Sequence, residues 1–238
     1  MNYVISTDDN FKSYAQVLIN SIYFWDTDAV VYVLANQYST VIADDFRQGV
    51  NVVNINVNIP FTRRDNFHLT STAKLNRLTA IPELYNRMDY ALYIDVDAVV
   101  NAPLKEIDRK PETIMAVKDK FQPSVYKQIS RWAPGAMLLP EYKNQIAFNS
   151  GVMVFNFEWI YKNDIHKKAF EFACQHKTTD QPSFNFAVAG NFEAIDRRYN
   201  WSVNYDDLQD TAILHWHGRY KPWTGAKCHK IWDRYKCM

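Results

Sequence analysis

Short apolar runs alternate with amphipathic stretches along most of this chain. Tyr3 to Ser6 reads as a strand that ends in the polar turn Ser6-Thr7-Asp8-Asp9-Asn10-Phe11. Ser13 to Trp25 follows, with Ala15, Leu18, Ile19 and Ile22 spaced to bury one helix face. Ala29 to Leu34 and Val50 to Val57 are the next strands. Strand, helix and strand in this rhythm predict an α/β protein with a mostly parallel sheet. A loop from Pro60 to Thr70 carries Arg63, Arg64 and His68, and Ser71 to Leu84 reads as a helix that Pro82 ends or kinks.

The organising stretch is Tyr90 to Val100, an apolar and β-branched run that contains Asp95 and Asp97. Apolar residues fall on both faces, which predicts one central strand covered on both sides. Ligands of open α/β sheets bind beyond the carboxyl ends of the strands. Side chains two apart on an extended chain point the same way, so the two carboxylates repel unless a cation lies between them. Oxygen ligands at this density suit Mg²⁺ or Mn²⁺. Two other readings compete at this point: an Asp-x-Asp of no functional meaning, and the phosphatase motif of the haloacid dehalogenases. Asp95, Asp97 and Val99 fit that motif, in which the first Asp is a nucleophile.

Further on, Thr113 to Val117 is a strand ending in Lys118-Asp119-Lys120, and Phe121 to Tyr142 reads as loop and short helix. Phe148 to Asn156 is a strand, Trp159 to Gln175 an amphipathic helix, and Asp180 a candidate helix cap with Pro182 in the first turn. Ala212 to Leu214 is a short strand leading into His215-Trp216-His217-Gly218-Arg219-Tyr220-Lys221-Pro222-Trp223.

The 238 residues suit one large domain, read as 1–223, with a basic and aromatic tail over 224–238. A net charge of +1 gives no field that would select nucleic acid. Three cysteines without CxxC spacing predict a reducing, cytoplasmic setting and no disulfide framework. No run of apolar residues is long enough to span a membrane, and the N-terminus lacks a signal-peptide pattern. Fifteen tyrosines and seven tryptophans mostly serve a large core. The tail interleaves Lys227, Lys230, Arg234 and Lys236 with Trp232 and Tyr235, which suits either peripheral contact with an anionic membrane or a docked terminal helix.

Six pieces stand in a telling order: Thr7-Asp8-Asp9-Asn10-Phe11, Arg77-Leu78 with Ile81-Pro82-Glu83, Asp95-Val96-Asp97, Phe148-Asn149-Ser150-Gly151-Val152, Asp180-Gln181, and His215-x-x-Gly218-x-x-Lys221-Pro222-Trp223. From residue 3 to about 223 the chain resembles the family 8 glycosyltransferases, which include glycogenin and bacterial lipooligosaccharide galactosyltransferases. The phosphatase motif accounts for none of the later pieces. The resemblance implies a single Rossmann-like nucleotide-sugar-binding domain of the glycosyltransferase A type. It also implies retaining transfer of glucose or galactose from a UDP-sugar, with Mn²⁺ as cofactor and Mg²⁺ as the alternative. Asp95, Asp97 and His215 would be the metal ligands. Thr7, Asp8, Asp9 and Asn10 would contact base and ribose, and Phe11 would stack on uracil where the family more often has Tyr. Arg77, Val96, Asp119, Asn149, Ser150, Asp180, Gln181, Gly218 and Lys221 complete the donor site.

Lys221 would stabilise the departing UDP, and Asp180 would bind sugar hydroxyls. The resemblance puts Gln181 where a double displacement wants a nucleophile, but an amide is a poor one. Same-face attack by the acceptor hydroxyl is therefore expected, with Gln181 stabilising the oxocarbenium-like state. The expected acceptor is a glycan, a lipid-linked sugar or a protein hydroxyl. Two further readings are a glycogenin-like self-glycosylating primer and a UDP-sugar-binding protein without turnover.

Overall fold

The computed structural model describes residues 1–37, 39–46, 51–58, 73–136 and 139–238. Val50, the loop of Pro60 to Thr70 and the first residues of the helix expected from Ser71 lie outside the described residues. Ten strands occur among the rest: β1 Asn2–Ser6, β2 Val30–Asn36, β3 Asn51–Val57, β4 Tyr90–Ile94, β5 Ala98–Val100, β6 Ile114–Lys118, β7 Phe148–Asn156, β8 Glu193–Ala194, β9 Trp201–Ser202 and β10 Ile213–His215. The α-helices are α1 Lys12–Trp25, α2 Ala73–Thr79, α3 Ile81–Tyr85, α4 Val125–Trp132, α5 Phe157–Lys162, α6 Ile165–His176, α7 Asp180–Val188 and α8 His229–Asp233.

Seven strands form the main sheet in the order β3-β2-β1-β4-β7-β6-β8, and β5-β10-β9 form a second, smaller sheet. The main sheet is mostly parallel, as expected; β7 alone runs against its neighbours β4 and β6. Strand alternation feeds two cores. Tyr3, Ile5, Leu92 and Ile94 pack on the face that carries α1. Val4, Ala91, Tyr93 and Phe155 pack on the opposite face with residues of α2, α3, α5, α6 and α7. The expectation of a sheet covered on both sides holds at this strand.

Tyr90 to Val100 is not one strand, however. The Ala98 N–H donates to the Asp95 carbonyl at 3.1 Å, which closes a turn between β4 and β5. β5 then pairs antiparallel with β10 in the other sheet. The amphipathic stretch from Trp159 also splits, into α5 and α6, where Asp164 takes a left-handed φ of 54°. Asn156 caps α5, its side chain accepting from the Trp159 N–H at 3.0 Å. Pro82 lies in the first turn of α3, just past the end of α2, so it starts a helix instead of kinking one. Asp180 is the first residue of α7, and Thr179 precedes it as the cap.

Residues after 223 pack on the body of the protein. Trp232 and Tyr235 lie in a buried cluster with Val17, Val99, Trp201, Leu214 and Trp216. Trp232→Ala removes a fully buried indole and should cost ~3–5 kcal/mol of stability. Urea unfolding checks this, and an unchanged midpoint would mean that the last helix contributes nothing to the core.

Candidate active site

Because β7 runs backwards, its first residues lie at the edge where β1, β4 and β6 finish. Ile94 pairs with Val152, and Lys118 with Phe148. Strand polarity thus collects Ser6 and Thr7, the turn of Asp95 to Asp97, Asp119, and Asn149 to Gly151 at one edge. β10 delivers His215 to the same place, and the start of α7 delivers Asp180 and Gln181. A cavity of about 930 Å³ opens there. Its walls include Thr7, Phe11, Arg77, Val96, Asn149, Ser150, Gly218 and Lys221.

Asp95, Asp97 and His215 each offer one ligand atom, and the three atoms lie within 4.8 Å of one another. The turn, not an extended strand, brings the two carboxylates together. It is held on both sides: the Asp95 N–H donates to the Gly151 carbonyl at 2.8 Å, and the Asp97 carbonyl accepts from the Trp216 N–H at 2.9 Å. His215 is 2% exposed, and its Nε2 stands 3.1 Å from Asp97 Oδ1 and 3.9 Å from Asp95 Oδ2. Its Nδ1 lies 2.8 Å from Asn200 Oδ1, and Asn200 Nδ2 donates to Asn149 Oδ1 at 2.9 Å. That second bond fixes the Asn200 amide with its oxygen toward the ring, so Nδ1 carries the proton. Nε2 is then the nitrogen that faces the two carboxylates, within hydrogen-bond reach of Asp97 and placed to ligate once an ion displaces its proton. The donor set fits a divalent cation, and a histidine whose outer nitrogen is held in this way is the usual arrangement in metal sites.

Gly151 makes room for this cluster. A Cβ there would lie 2.1 Å from His215 Cε1 and 3.0 Å from Asp95 Oδ2. Gly218, at a φ of +85°, supplies a backbone shape that other residues resist.

Burial acts to raise the Asp97 carboxyl, but His215 and the Lys221 ammonium beside it outweigh burial and hold it well below the usual range. Lys221 Nζ donates to Asp97 Oδ2 and, at 3.1 Å, to the Trp216 carbonyl. Tyr93 donates to Asp95 Oδ1 at 2.7 Å, and burial raises its phenol far above the usual range.

Arg77 is not on a solvated helix face. It is 2% exposed, with its guanidinium 4.3 Å from the Tyr93 ring centroid. It donates to the Ser150 carbonyl and, at 3.0 Å, to Ser150 Oγ, and it forms an ion pair with Asp180. Arg77 therefore clamps the start of α7 to β7, and Asp180 is held by Arg77 instead of capping its helix. Gln181 Oε1 accepts from the Ser150 N–H at 3.2 Å, and its Nε2 donates to Asp119 Oδ2 at 3.1 Å. The Asp119 carboxylate also accepts from the Phe121 and Gln122 N–H groups at 2.8 and 3.0 Å and from Gln128 Nε2 at 3.0 Å.

The first loop divides. Thr7 and Phe11 reach the cavity wall, and Phe11 packs edge-on against Trp223 with ring centroids 6.0 Å apart. Asp8 Oδ1 accepts from the Asn10 N–H at 3.0 Å, a local turn. Asp9 is exposed and accepts from Thr40 Oγ1 at 2.7 Å and its N–H at 3.0 Å, tying down a neighbouring loop. Asp8, Asp9 and Asn10 are not among the described residues that line the cavity.

His217 lines the same cavity, with its ring centroid 5.4 Å from that of His215, but is not one of the three clustered ligands. It hydrogen-bonds Ser202 and stacks on Tyr205 at 5.3 Å between centroids. Burial pushes its imidazole down to about 3, so it is neutral at physiological pH. Sequence reasoning missed Asn200, whose only signal was a polar residue between Tyr199 and Trp201, and Gly151 as a spatial requirement. It also missed Lys74, Arg131 and Trp132 on the cavity wall.

A family model described as "Glycosyl transferase family 8" matches residues 2–227. General stress protein A of Bacillus subtilis (strain 168) is 26% identical over 196 residues, which are 71% of this chain. The match spans 64% of that relative, less than two thirds of its length. Among solved structures, the galactosyltransferase LgtC in complex with donor and acceptor sugar analogues is similar with a TM-score of 0.77 at 23% identity. That likeness covers 100% of this chain and 95% of the other. The bifunctional glycosyltransferase WbbM is similar with a TM-score of 0.72 at 22% identity, over 99% of this chain and 49% of its own.

Proposed function

Because the chain belongs to glycosyltransferase family 8 and has an A-type fold, we propose that it moves a hexose, glucose or galactose, from a UDP-sugar to an acceptor hydroxyl with retention of configuration. The observation that carries the donor reading is the convergence of Asp95, Asp97 and His215 Nε2 on the cavity. Asp95, Asp97 and His215 would hold the ion, Mn²⁺ before Mg²⁺ because imidazole joins the carboxylates. A divalent ion in that place supplies charge stabilisation for the diphosphate as it leaves.

The protein groups divide the remaining work. Lys221 places an ammonium where negative charge develops on departing UDP. Thr7 and Phe11 lie at the end assigned to the base, and Asp180, Asn149, Ser150 and Gln181 surround the place assigned to the sugar. Two features support same-face attack. Gln181 is an amide, and the carboxylates beside it are engaged, Asp180 by Arg77 and Asp119 by four N–H groups. Among the described residues no carboxylate near Gln181 is therefore disposed as a nucleophile, and the departing phosphate is the base for the acceptor proton. The retained cluster of Asp97, His215 and Lys221 favours turnover over a binding role alone.

UDP release from a panel of UDP-sugars tests the reading. Activity should require a divalent ion, with Mn²⁺ best, and should vanish in EDTA. Full activity in EDTA would overturn the assignment. Gln181→Ala should slow transfer by about 10- to 10²-fold through loss of one positioned dipole, while UDP affinity stays within a few-fold. Calorimetry with UDP and Mn²⁺ reads the second quantity, and a large loss of UDP binding would place Gln181 at the nucleotide instead.

A further inference from the structure

Beyond Asp180 and Gln181 the cavity continues along the end of α4. Its wall there is formed by Phe121, Gln122, Arg131, Trp132, Thr179 and Pro182. Thr178 Oγ1 donates to the Trp132 carbonyl at 2.7 Å, which fixes the end of α4 to the start of α7. This wall therefore adjoins the start of α7, which carries Asp180 and Gln181, the residues assigned to the transferred sugar. Trp132 is 47% exposed and Phe121 46%, an unusual pair of open aromatic faces on a cavity wall. Gln122, 9% exposed, has a side-chain oxygen without a hydrogen-bond partner among the described residues.

Arg131 sits over Trp132, with its guanidinium carbon 5.0 Å from the ring centroid. The four carboxylates on the cavity wall are engaged elsewhere. Asp95 is held by Tyr93, Asp97 by His215 and Lys221, Asp119 by four N–H donors, and Asp180 by Arg77. Among the described residues Arg131 has no carboxylate partner, so its charge faces the cavity unanswered. A guanidinium stacked on indole is a rigid fork for a planar or tetrahedral oxyanion.

We propose that Arg131 and Trp132 form an acceptor subsite for a sugar that carries an anionic group, either phosphate or carboxylate. The inference rests on the donor reading above. Trp132 takes the C–H face of the ring, and Arg131 takes the anion.

The test compares glucose, glucose 6-phosphate and glucuronic acid as acceptors, read by UDP release above the rate of donor hydrolysis alone. The wild type should favour at least one acidic acceptor over glucose, and the two acidic arms separate phosphate from carboxylate. Arg131→Ala should reduce that preference by about 10- to 100-fold, the effect of losing a charge-assisted hydrogen bond. Arg131→Lys should restore part of it. Equal use of glucose by the wild type, or a preference that survives Arg131→Ala, would overturn the proposal while donor hydrolysis still upheld the donor reading. If no UDP-sugar is turned over, calorimetry of glucose 6-phosphate and glucuronic acid on wild type and Arg131→Ala decides the subsite by itself. Binding that Arg131→Ala abolishes supports it, and identical or absent binding refutes it.

Discussion

If the chain turns over UDP-sugar with Mn²⁺ as proposed, Asp97→Asn should lower that rate by at least ~10²-fold, the scale of losing one fixed electrostatic group. The reason lies in what surrounds the carboxylate. Asp97 is largely buried, His215 Nε2 faces one of its oxygens at 3.1 Å, and Lys221 holds the other. The amide removes the negative charge but keeps the shape, so the backbone turn from β4 to β5 survives. It leaves the Lys221 ammonium without its anion and the metal set with one carboxylate. Two measurements check this: UDP release, and Mn²⁺ affinity by electron paramagnetic resonance, which does not depend on turnover. A rate within three-fold of wild type would show that Asp97 serves the turn and not the chemistry.

Gly151→Val disassembles the same site from behind. Its new Cβ would fall 2.1 Å from His215 Cε1, far inside van der Waals contact, and 3.0 Å from Asp95 Oδ2. His215 cannot give way freely, because Asn200 holds its Nδ1 at 2.8 Å. The ring must leave Asn200 or β7 must shift, and either outcome breaks the set of three ligands. Mn²⁺-dependent UDP binding should fall by more than ~10²-fold, as expected for loss of a ligand and of the partner that orients it. The circular dichroism spectrum should keep its α/β form, since the nearest clashes of the new side chain fall on the site residues His215 and Asp95. Wild-type UDP binding in this variant would mean that His215 is not part of the donor site.

Both predictions join a residue that is legible in the sequence to one that is not. Asp97 stands out because a carboxylate pair after an apolar strand is a local pattern. Gly151 matters chiefly through a histidine 64 residues further along the chain.

The strand and helix rhythm was legible for the same local reason. Apolar spacing is a property of neighbouring residues, and β7 over Phe148 to Asn156 was read with its observed bounds. The breaks were less visible. The turn after β4 exists because β5 finds a partner in β10, more than 110 residues away. The direction of β7 is likewise a matter of pairing, since one apolar run reads alike in either direction.

Within the site, the sequence by itself supplied the residue types: two carboxylates, an imidazole, an amide at Gln181 and a cation at Lys221. Tertiary structure decided what each is free to do. Arg77 stood in the sequence only as a donor-site residue, and burial adds that it is committed to Ser150 and Asp180. The resemblance singles out His215 over His217 by its spacing to Gly218 and Lys221, and the structure supplies the physical difference, Asn200 beside the one and Ser202 with Tyr205 beside the other. A hydrogen bond is settled by distance and direction between atoms, and for a buried side chain those are set by whichever distant segments pack around it.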